Sequence, residues 1–363
     1  MPGTLSLGAT IGIVGGGQLG RMLAMAAARL GFRTVILDPD QNCCAAQTAN
    51  EVIASAYDDG AALKQLAERC AVVTYEFENV PVAPMRALAS AVPVFPSVEA
   101  LEIAQDRVVE KAFLNGIGVP TADWRAIDDS QELDHALNEF DGDCILKTRR
   151  LGYDGKGQAT IRRKSPHGDL FASLGSVPTI LERKVPFDYE LSVIATRGQD
   201  GIVATYDPAE NVHTIGILKR STVPGRIPQK VADAAKAIAT QILERLNYVG
   251  VIGVEFFVTG EALVVNEIAP RVHNSGHWTE AACLISQFEQ HIRAVAGLPL
   301  GATQRHSDAV MENLVGAEVT EALALLTEPN LLLHLYGKGE ARTGRKMGHL
   351  TRIQPLGSHD PRK

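Results

Sequence analysis

Residues 11–24 read Ile11-Gly12-Ile13-Val14-Gly15-Gly16-Gly17-Gln18-Leu19-Gly20-Arg21-Met22-Leu23-Ala24. A short apolar run is closed by three glycines and passes directly into an Ala/Leu/Met-rich stretch. That pattern predicts a buried strand, a tight turn and a helix that ends at Gly31. A second apolar run, 34–37, ends at Asp38-Pro39, and a third, 71–75, follows a helical stretch over 61–69. Glu76 and Glu78 stand just past the third run. Strands without alternation are buried on both faces, as in a parallel sheet covered by helices. The expected fold class is therefore α/β, α+β in parts, beginning with a Rossmann-like parallel sheet.

The same turn carries Gly15-x-Gly17-x-x-Gly20, with Asp38 at the end of the next strand. This spacing matches the dinucleotide-binding fingerprint. Its physical content is narrower: glycines let a backbone turn approach an anion at a helix N-terminus, whatever that anion is. A nicotinamide-dependent dehydrogenase is one reading of it.

The chain has 363 residues and a net charge of −7, with 45% hydrophobic and 21% charged residues. These are globular values, and the length suggests two or three domains. The acidic balance argues against a chain that coats nucleic acid. Cys43, Cys44, Cys70, Cys144 and Cys283 form no CxxC pair and no even framework, so buried thiols in a reducing compartment are expected. Met1 to Leu5 has no basic lead-in to an apolar stretch, and no run of about 18 apolar residues occurs. A soluble cytoplasmic protein is expected, with no membrane partner.

Beyond residue 96 the texture changes. Residues 98–114 read as one helix, and Gly116 to Pro120 breaks it. Short β runs follow to about residue 220, then a helix over 229–246 with Val231, Ala235, Ile238, Ile242 and Leu246 on one face. Two apolar strands, 251–257 and 262–268, are joined through Thr259-Gly260-Glu261. A tail beyond 298 holds an apolar helix over 319–326, a strand over 331–335 and a basic segment.

Four motifs carry chemistry. Lys147 is followed by Gly152-Tyr153-Asp154-Gly155-Lys156-Gly157-Gln158. A strand lysine is a point charge for phosphates, and glycines let backbone N–H groups cover them; an exposed hairpin is the plain alternative. Glu255 and Glu267 interrupt the two apolar strands, with Asn266 beside the second. Acids in such runs are costly unless paired or metal-bound, and oxygen donors suit Mg²⁺. Facing the same side of a hairpin requires a loop with an odd residue count, which a three-residue 259–261 loop supplies. Arg271, His273, Asn274, Ser275 and His277 crowd the segment directly after Glu267, as in a substrate loop. Finally, Lys338, Arg342, Arg345, Lys346 and Arg352 face a single acid, Glu340, across residues 334–352, which suits an anionic group or a solvated basic face.

In this order the motifs resemble the ATP-grasp superfamily, and within it the 5-(carboxyamino)imidazole ribonucleotide synthases of purine biosynthesis. The most specific pieces are residues 15–22, 74–80, 151–158, 266–277 and 344–349. The resemblance implies a Rossmann-like pre-ATP-grasp domain over 1–106, an ATP-grasp domain over 107–298 with a flexible lid at about 120–183, and a small C-terminal domain over 299–363. It implies that Arg107 and Lys147 hold phosphates and that residues 152–158 close over ATP. Glu182, Arg183, Lys184 and Val185 would offer backbone groups to adenine, and Glu190 would hold ribose, with His213 nearby. Glu255 and Glu267 would bind Mg²⁺, replaceable by Mn²⁺, with Asn266 alongside. The ribonucleotide would meet Gln18, Leu19, Glu76, Asn79, Tyr153, Asp154, Lys156, Arg271, Lys338, Arg345 and Lys346. Arg271, His273, Asp154 and Lys346 would serve catalysis. Residues 1–10 receive no role.

The implied reaction is a ligation: ATP, bicarbonate and 5-aminoimidazole ribonucleotide give the carboxyamino product, ADP and phosphate through carboxyphosphate. A homodimer is implied as well. Rival readings are another ATP-grasp ligase, a formate-dependent ribonucleotide transformylase or a biotin-carboxylase-like enzyme, and the dehydrogenase.

Overall fold

The Ile11–Val14 run pairs on both sides, as its uniform apolarity demands. In the computed structural model, which describes residues 3–152, 156–163, 168 and 170–359, it lies within β1 (Thr10–Val14). With β2 (Arg33–Asp38), β3 (Glu51–Ala54) and β4 (Val72–Tyr75) it forms a parallel sheet in the order β3-β2-β1-β4. Ile11, Ile13 and Val14 are fully buried, each worth about 1.5–3 kcal/mol of removed apolar surface. The helix Gln18–Arg29 turns Met22, Leu23 and Ala27 inward and packs on the helix Gln287–Val295 of the central unit. Residues 4 and 5 are also tied down there: Leu5 N donates to Ala296 O at 2.9 Å, and Thr4 Oγ1 to Gly297 O at 3.0 Å.

The single helix expected over 98–114 is two, Val98–Gln105 and Arg107–Gly116. Asp106 between them adopts extended backbone, and its carboxylate caps the second helix by accepting from Val108 N at 3.0 Å. An aspartate prefers that role to a helix interior. The break sets Arg107 at the start of a new helix.

A second, antiparallel sheet contains β5 (Trp124–Ile127), β6 (Cys144–Thr148), β7 (Gln158–Ile161) and β8 (Thr179–Arg183), in the order β5-β8-β6-β7. Its face packs on the helix Ser130–Phe140 through Ile127, Leu133, Phe140, Leu146 and Leu181.

The remaining strands form one nine-stranded sheet: β9 (Tyr189–Arg197), β10 (Val203–Thr205), β11 (Ala209–Thr214), β12 (Ile217–Val223), β13 (Gly250–Thr259), β14 (Ala262–Ala269), β15 (Ser307–Val315), β16 (Leu331–Leu335) and β17 (Lys346–Pro355). The order is β14-β13-β9-β11-β12-β15-β17-β16, with β10 on β9. The helix Gln229–Arg245 covers it with Val231, Ala235 and Ile242, as the spacing predicts, and with Ala239, while the expected Ile238 is only half-buried. The C-terminal strands are no separate sheet, because β15 pairs directly with β12. The helix expected over 319–326 is a 3₁₀ stretch, Gly316–Thr327, and part of the basic segment is strand β17.

Candidate active site

Glu255 and Glu267 are direct cross-strand partners on β13 and β14, so both carboxylates point to one face. The route differs from the expectation. The hairpin loop is only Gly260-Glu261, since Thr259 pairs with Ala262. That even count would set Glu255 opposite Asn266. A β-bulge supplies the odd residue instead: the ladder shifts between Phe256–Val265 and Glu255–Glu267, leaving Asn266 unpaired.

β14 is the edge of the large sheet, and two side chains from the helix Arg107–Gly116 hold its bulge. Lys111 Nζ donates to Asn266 O at 2.6 Å and Val265 O at 3.3 Å, while Glu110 Oε1 accepts from Ile268 N at 2.6 Å. Both residues are buried. Burial pushes the Glu110 carboxyl up to about 7 and the Lys111 ammonium down.

Lys147 on β6 and Glu182 on β8 form a buried ion pair at 2.6 Å, with Lys111 3.8 Å from the same carboxylate. Burial alone would raise Glu182, but Lys111 and Lys147 draw it down to about 2. Arg107 Nη1 lies 3.1 Å from Glu267 and its Nη2 3.5 Å from Gly152 O, so one guanidinium joins the carboxylate strand to the glycine-bearing loop. Thr148 N donates to Gly157 O at 2.8 Å, and Gln158 pairs with Lys147 across the β6–β7 ladder. Lys156 is exposed. Tyr153, Asp154 and Gly155 lie outside the described residues.

Glu190 on β9 pairs with His213 on β11, and Glu255 and Glu267 help Glu190 raise that imidazole's pKa against burial. Burial, then the Glu267 charge, raises the Glu255 carboxyl. Burial works in the same direction on Glu267, but Arg107 and Lys147 outweigh it and hold Glu267 ionised. Not every expected residue joins this group. Arg183 follows Glu182 on the strand and so faces the other side, where it pairs with Asp123 at 3.1 Å and lies over Phe140. Lys184 N is used by Asp143 O at 2.9 Å, and Val185 is half-buried.

The segment after β14 borders the carboxylates. His273 Nε2 lies 3.7 Å from Glu255, and its Nδ1 lies 2.8 Å from Ser275 Oγ. A Cβ at Gly253 would come within 2.6 Å of His273, so only glycine allows the ring this close to β13. Burial, with the Arg271 charge, holds His273 neutral, its pKa lowered to about 3. Arg271 is ion-paired with Glu78 beyond β4, and despite burial this pairing draws Glu78 down to about 2.

The glycine turn is already filled. Glu76 accepts from Gly17 N at 3.0 Å and Gly20 N at 3.1 Å, while Asp38 accepts from Gly16 N at 2.7 Å and Tyr57 Oη at 2.7 Å. At Gly15, φ is +101° and an added Cβ would strike Glu76 at 2.5 Å. The protein's own carboxylates sit where a dinucleotide's pyrophosphate and ribose would bind, which removes the dehydrogenase reading. Leu19 is a core side chain, Gln18 begins the helix, and Asn79 is half-buried.

Part of the basic segment lies near Glu76. Lys338 Nζ donates to Lys346 O at 2.7 Å, and burial lowers its pKa, with Arg345, Lys346 and Glu76 among the charges it senses. Lys346 also lowers His273 and His277. Glu78, Glu110 and Lys111 were not singled out in the sequence for this site. Glu78 was visible only as an acid beyond a strand end, and the other two looked like ordinary helix-surface charges.

Family models match three consecutive segments: a ribonucleotide synthetase preATP-grasp domain over residues 8–105, an ATP-grasp domain over 112–288 and a phosphoribosylaminoimidazole carboxylase C-terminal domain over 309–356. The chain is 58% identical over 355 residues to the N5-carboxyaminoimidazole ribonucleotide synthase of Brucella melitensis, covering 97% of this chain and 98% of the relative. It is 45% identical to the Pseudomonas aeruginosa enzyme of that name, covering 94% and 93%. Among solved structures, an N5-carboxyaminoimidazole ribonucleotide synthetase in complex with ADP aligns with a TM-score of 0.95 at 40% identity, covering 98% of this chain and 94% of that one. The Aspergillus clavatus synthase in complex with ADP and 5-aminoimidazole ribonucleotide aligns with a TM-score of 0.88 at 32% identity, covering 96% and 94%. With its parallel N-terminal sheet, its opposed carboxylates beside a strand lysine and these relatives, the chain belongs to the N5-carboxyaminoimidazole ribonucleotide synthase family of ATP-grasp ligases.

Proposed function

We propose that this chain carboxylates 5-aminoimidazole ribonucleotide in purine biosynthesis, using ATP and bicarbonate, at the cleft between Lys147, the Glu255–Glu267 pair and Arg271. The observation that carries the assignment to these residues is the bulge-set opposition of Glu255 and Glu267 beside two phosphate-type cations, Arg107 and Lys147. The donor set fits Mg²⁺: two facing carboxylates, one of them raised by burial and by the other's charge, would be relieved by a divalent cation. Bound there, Mg²⁺ or Mn²⁺ would supply charge neutralisation to phosphate oxygens.

Around that position the chain's own groups divide the work. Lys147 and Arg107 neutralise phosphate charge, residues 152–158 cover the nucleotide, and Glu190 with His213 holds the ribose. The Lys184 carbonyl and the Val185 backbone meet adenine, since the backbones of Glu182 and Arg183 are taken up by their neighbours in the sheet, and Asn266 supports Glu255. A bicarbonate oxygen attacks the γ-phosphorus, and the bond to the ADP oxygen breaks. Carboxyphosphate then splits to phosphate and CO₂, and the exocyclic amine attacks CO₂ and releases a proton. His273, whose Nε2 lies 3.7 Å from Glu255 beside the carboxylate pair, is the side chain placed to handle that proton. Arg271, fixed by Glu78, orients the carboxylate; Lys338, Arg345 and Lys346 hold the 5′-phosphate, with Gln18, Leu19, Glu76 and Asn79 bordering the ribonucleotide. Asp154, Tyr153 and Lys156 belong to the closing loop in this reading.

No helix among the described residues is long and apolar enough to cross a membrane. A cytoplasmic homodimer belongs to the same proposal, and sedimentation velocity tests the dimer. Phosphate release with ATP, Mg²⁺ and bicarbonate, measured with and without the ribonucleotide, tests the reaction. Stimulation by the ribonucleotide is expected, and its absence sinks the assignment. Glu267→Ala is expected to abolish turnover; retained turnover would mean that the metal lies elsewhere.

A further inference from the structure

Three side chains that the reaction leaves unused converge behind the substrate segment. His334 on β16 and His349 on β17 are direct cross-strand partners, so their rings share one face, with centroids 5.3 Å apart. Glu280, on the short helix Thr279–Ala282, reaches between them. Its Oε2 lies 3.2 Å from His334 Nδ1 and 3.4 Å from His349 Nε2. One ligand atom from each of the three lies within 4.8 Å of the others.

The spacing and the surroundings both fit a metal. A tetrahedral ion with bonds of about 2.0–2.1 Å has ligand–ligand edges of about 3.3 Å, close to the two separations here. His349 Nε2 is buried and makes no hydrogen bond among the described residues, although a carboxylate stands nearby. The opposite ring nitrogen, Nδ1, lies 2.9 Å from the buried Tyr336 hydroxyl. With Nδ1–H donating to that oxygen, Nε2 keeps its lone pair for a metal, and this is the tautomer the proposal requires. The adjacent His277 is committed elsewhere. Gln287 Nε2 spends its two hydrogens on His273 O at 2.7 Å and His277 Nδ1 at 3.0 Å, so His277 keeps its proton on Nε2.

We propose that Glu280, His334 and His349 form a site for a first-row divalent transition metal, Zn²⁺ by its donor set, separate from the Glu255–Glu267 carboxylates. Two imidazoles and a carboxylate select against Mg²⁺, which prefers oxygen donors. Three protein ligands leave a position for water. The site ties two strands of the C-terminal region to the helix that follows Arg271, His273 and His277, and so fixes the basic segment relative to the substrate loop.

The test uses the full chain, stripped with a chelator and held in excess Mg²⁺. Co²⁺ is titrated while its visible ligand-field absorption is followed, and Zn²⁺ is then added. One equivalent of Co²⁺ with a tetrahedral-type band, displaced by Zn²⁺ and accompanied by a raised melting temperature, is expected. His334→Gln and Glu280→Gln, both nearer the surface than His349, are each expected to weaken binding at least about tenfold, and circular dichroism checks that both variants are folded. Glu267→Ala should keep the band. No saturable band in the wild-type chain overturns the proposal, as does a band that survives in both Gln variants or disappears in Glu267→Ala.

Discussion

Replacing Lys111 by methionine tests whether the carboxylate geometry depends on the bulge being held from outside the hairpin. Methionine matches the stem in length and keeps the apolar packing, so the change removes little besides the ammonium. Lys111 is 1% exposed, and it is the donor to Asn266 O and Val265 O on an edge strand. Each carbonyl left without its donor costs about 1–3 kcal/mol. Glu182 and Glu110 also lose a neighbouring positive charge, which adds to the cost, although Glu182 keeps Lys147 at 2.6 Å. A fall in stability of about 3 kcal/mol is expected, read as a lower urea midpoint at constant slope. The functional signature is separate: with the bulge free to shift, Glu255 and Glu267 no longer stay opposed, so the Mg²⁺ concentration needed for half-maximal turnover rises. An unchanged Mg²⁺ dependence in a destabilised variant would falsify the clamp, since the bulge would then hold itself. An unchanged urea midpoint would show that the carbonyls find other donors.

Acid stability follows from the paired carboxylates. Glu78 is depressed to about 2 by Arg271, so its contribution is present above the unfolded value near 4.3 and is lost as pH falls through 2. Glu78→Gln should flatten the stability-versus-pH curve between about pH 4.5 and 2, as followed by urea unfolding; an unaltered slope would show that the pair contributes nothing. A second stage begins earlier. His291 is held neutral by burial with its pKa near 3, between Thr74 Oγ1 at 2.8 Å and Val251 N at 3.1 Å. Its contribution therefore declines as pH drops below about 6.5, and His291→Gln should reduce the slope there, leaving the share of His273, which titrates over the same window. Glu76→Ala strips the buried acceptor from Gly17 N and Gly20 N and should cost about 2–4 kcal/mol, again by urea unfolding; a loss below about 0.5 kcal/mol would mean that water replaces the carboxylate.

The strand–turn–helix opening was legible because apolar runs and glycines act locally. Glu255 and Glu267 were legible for the same reason, being acids set in apolar strands. How they come to face each other was not, because the extra residue is Asn266, left out of the ladder of its own hairpin and held at its carbonyl by a helix about 150 positions earlier in the chain. Lys111 and Glu110 looked like solvated charges for the mirror-image reason: their burial is created by an edge strand distant in sequence. Asp106 carried a readable signal, an aspartate inside a supposed helix, which the apolar periodicity on either side concealed. The Glu280, His334 and His349 group could not be found by spacing, since its members come from a loop helix and two strands that meet only when the sheet forms.

The glycine turn occupied by Glu76 amounts to a binding site that carries its own ligand. An attached carboxylate competes at an effective concentration that a short tether sets at about the millimolar level or above, so a free phosphate or dinucleotide at ordinary concentrations loses that contest without any steric barrier. The fingerprint's glycines are therefore necessary for an anion to approach, while the first acid beyond β4 decides whose anion it is. Any chain that pairs this turn with such a glutamate should be read as self-saturated, and exchanging that one residue is the shortest route by which such a turn could be reopened to an external anion.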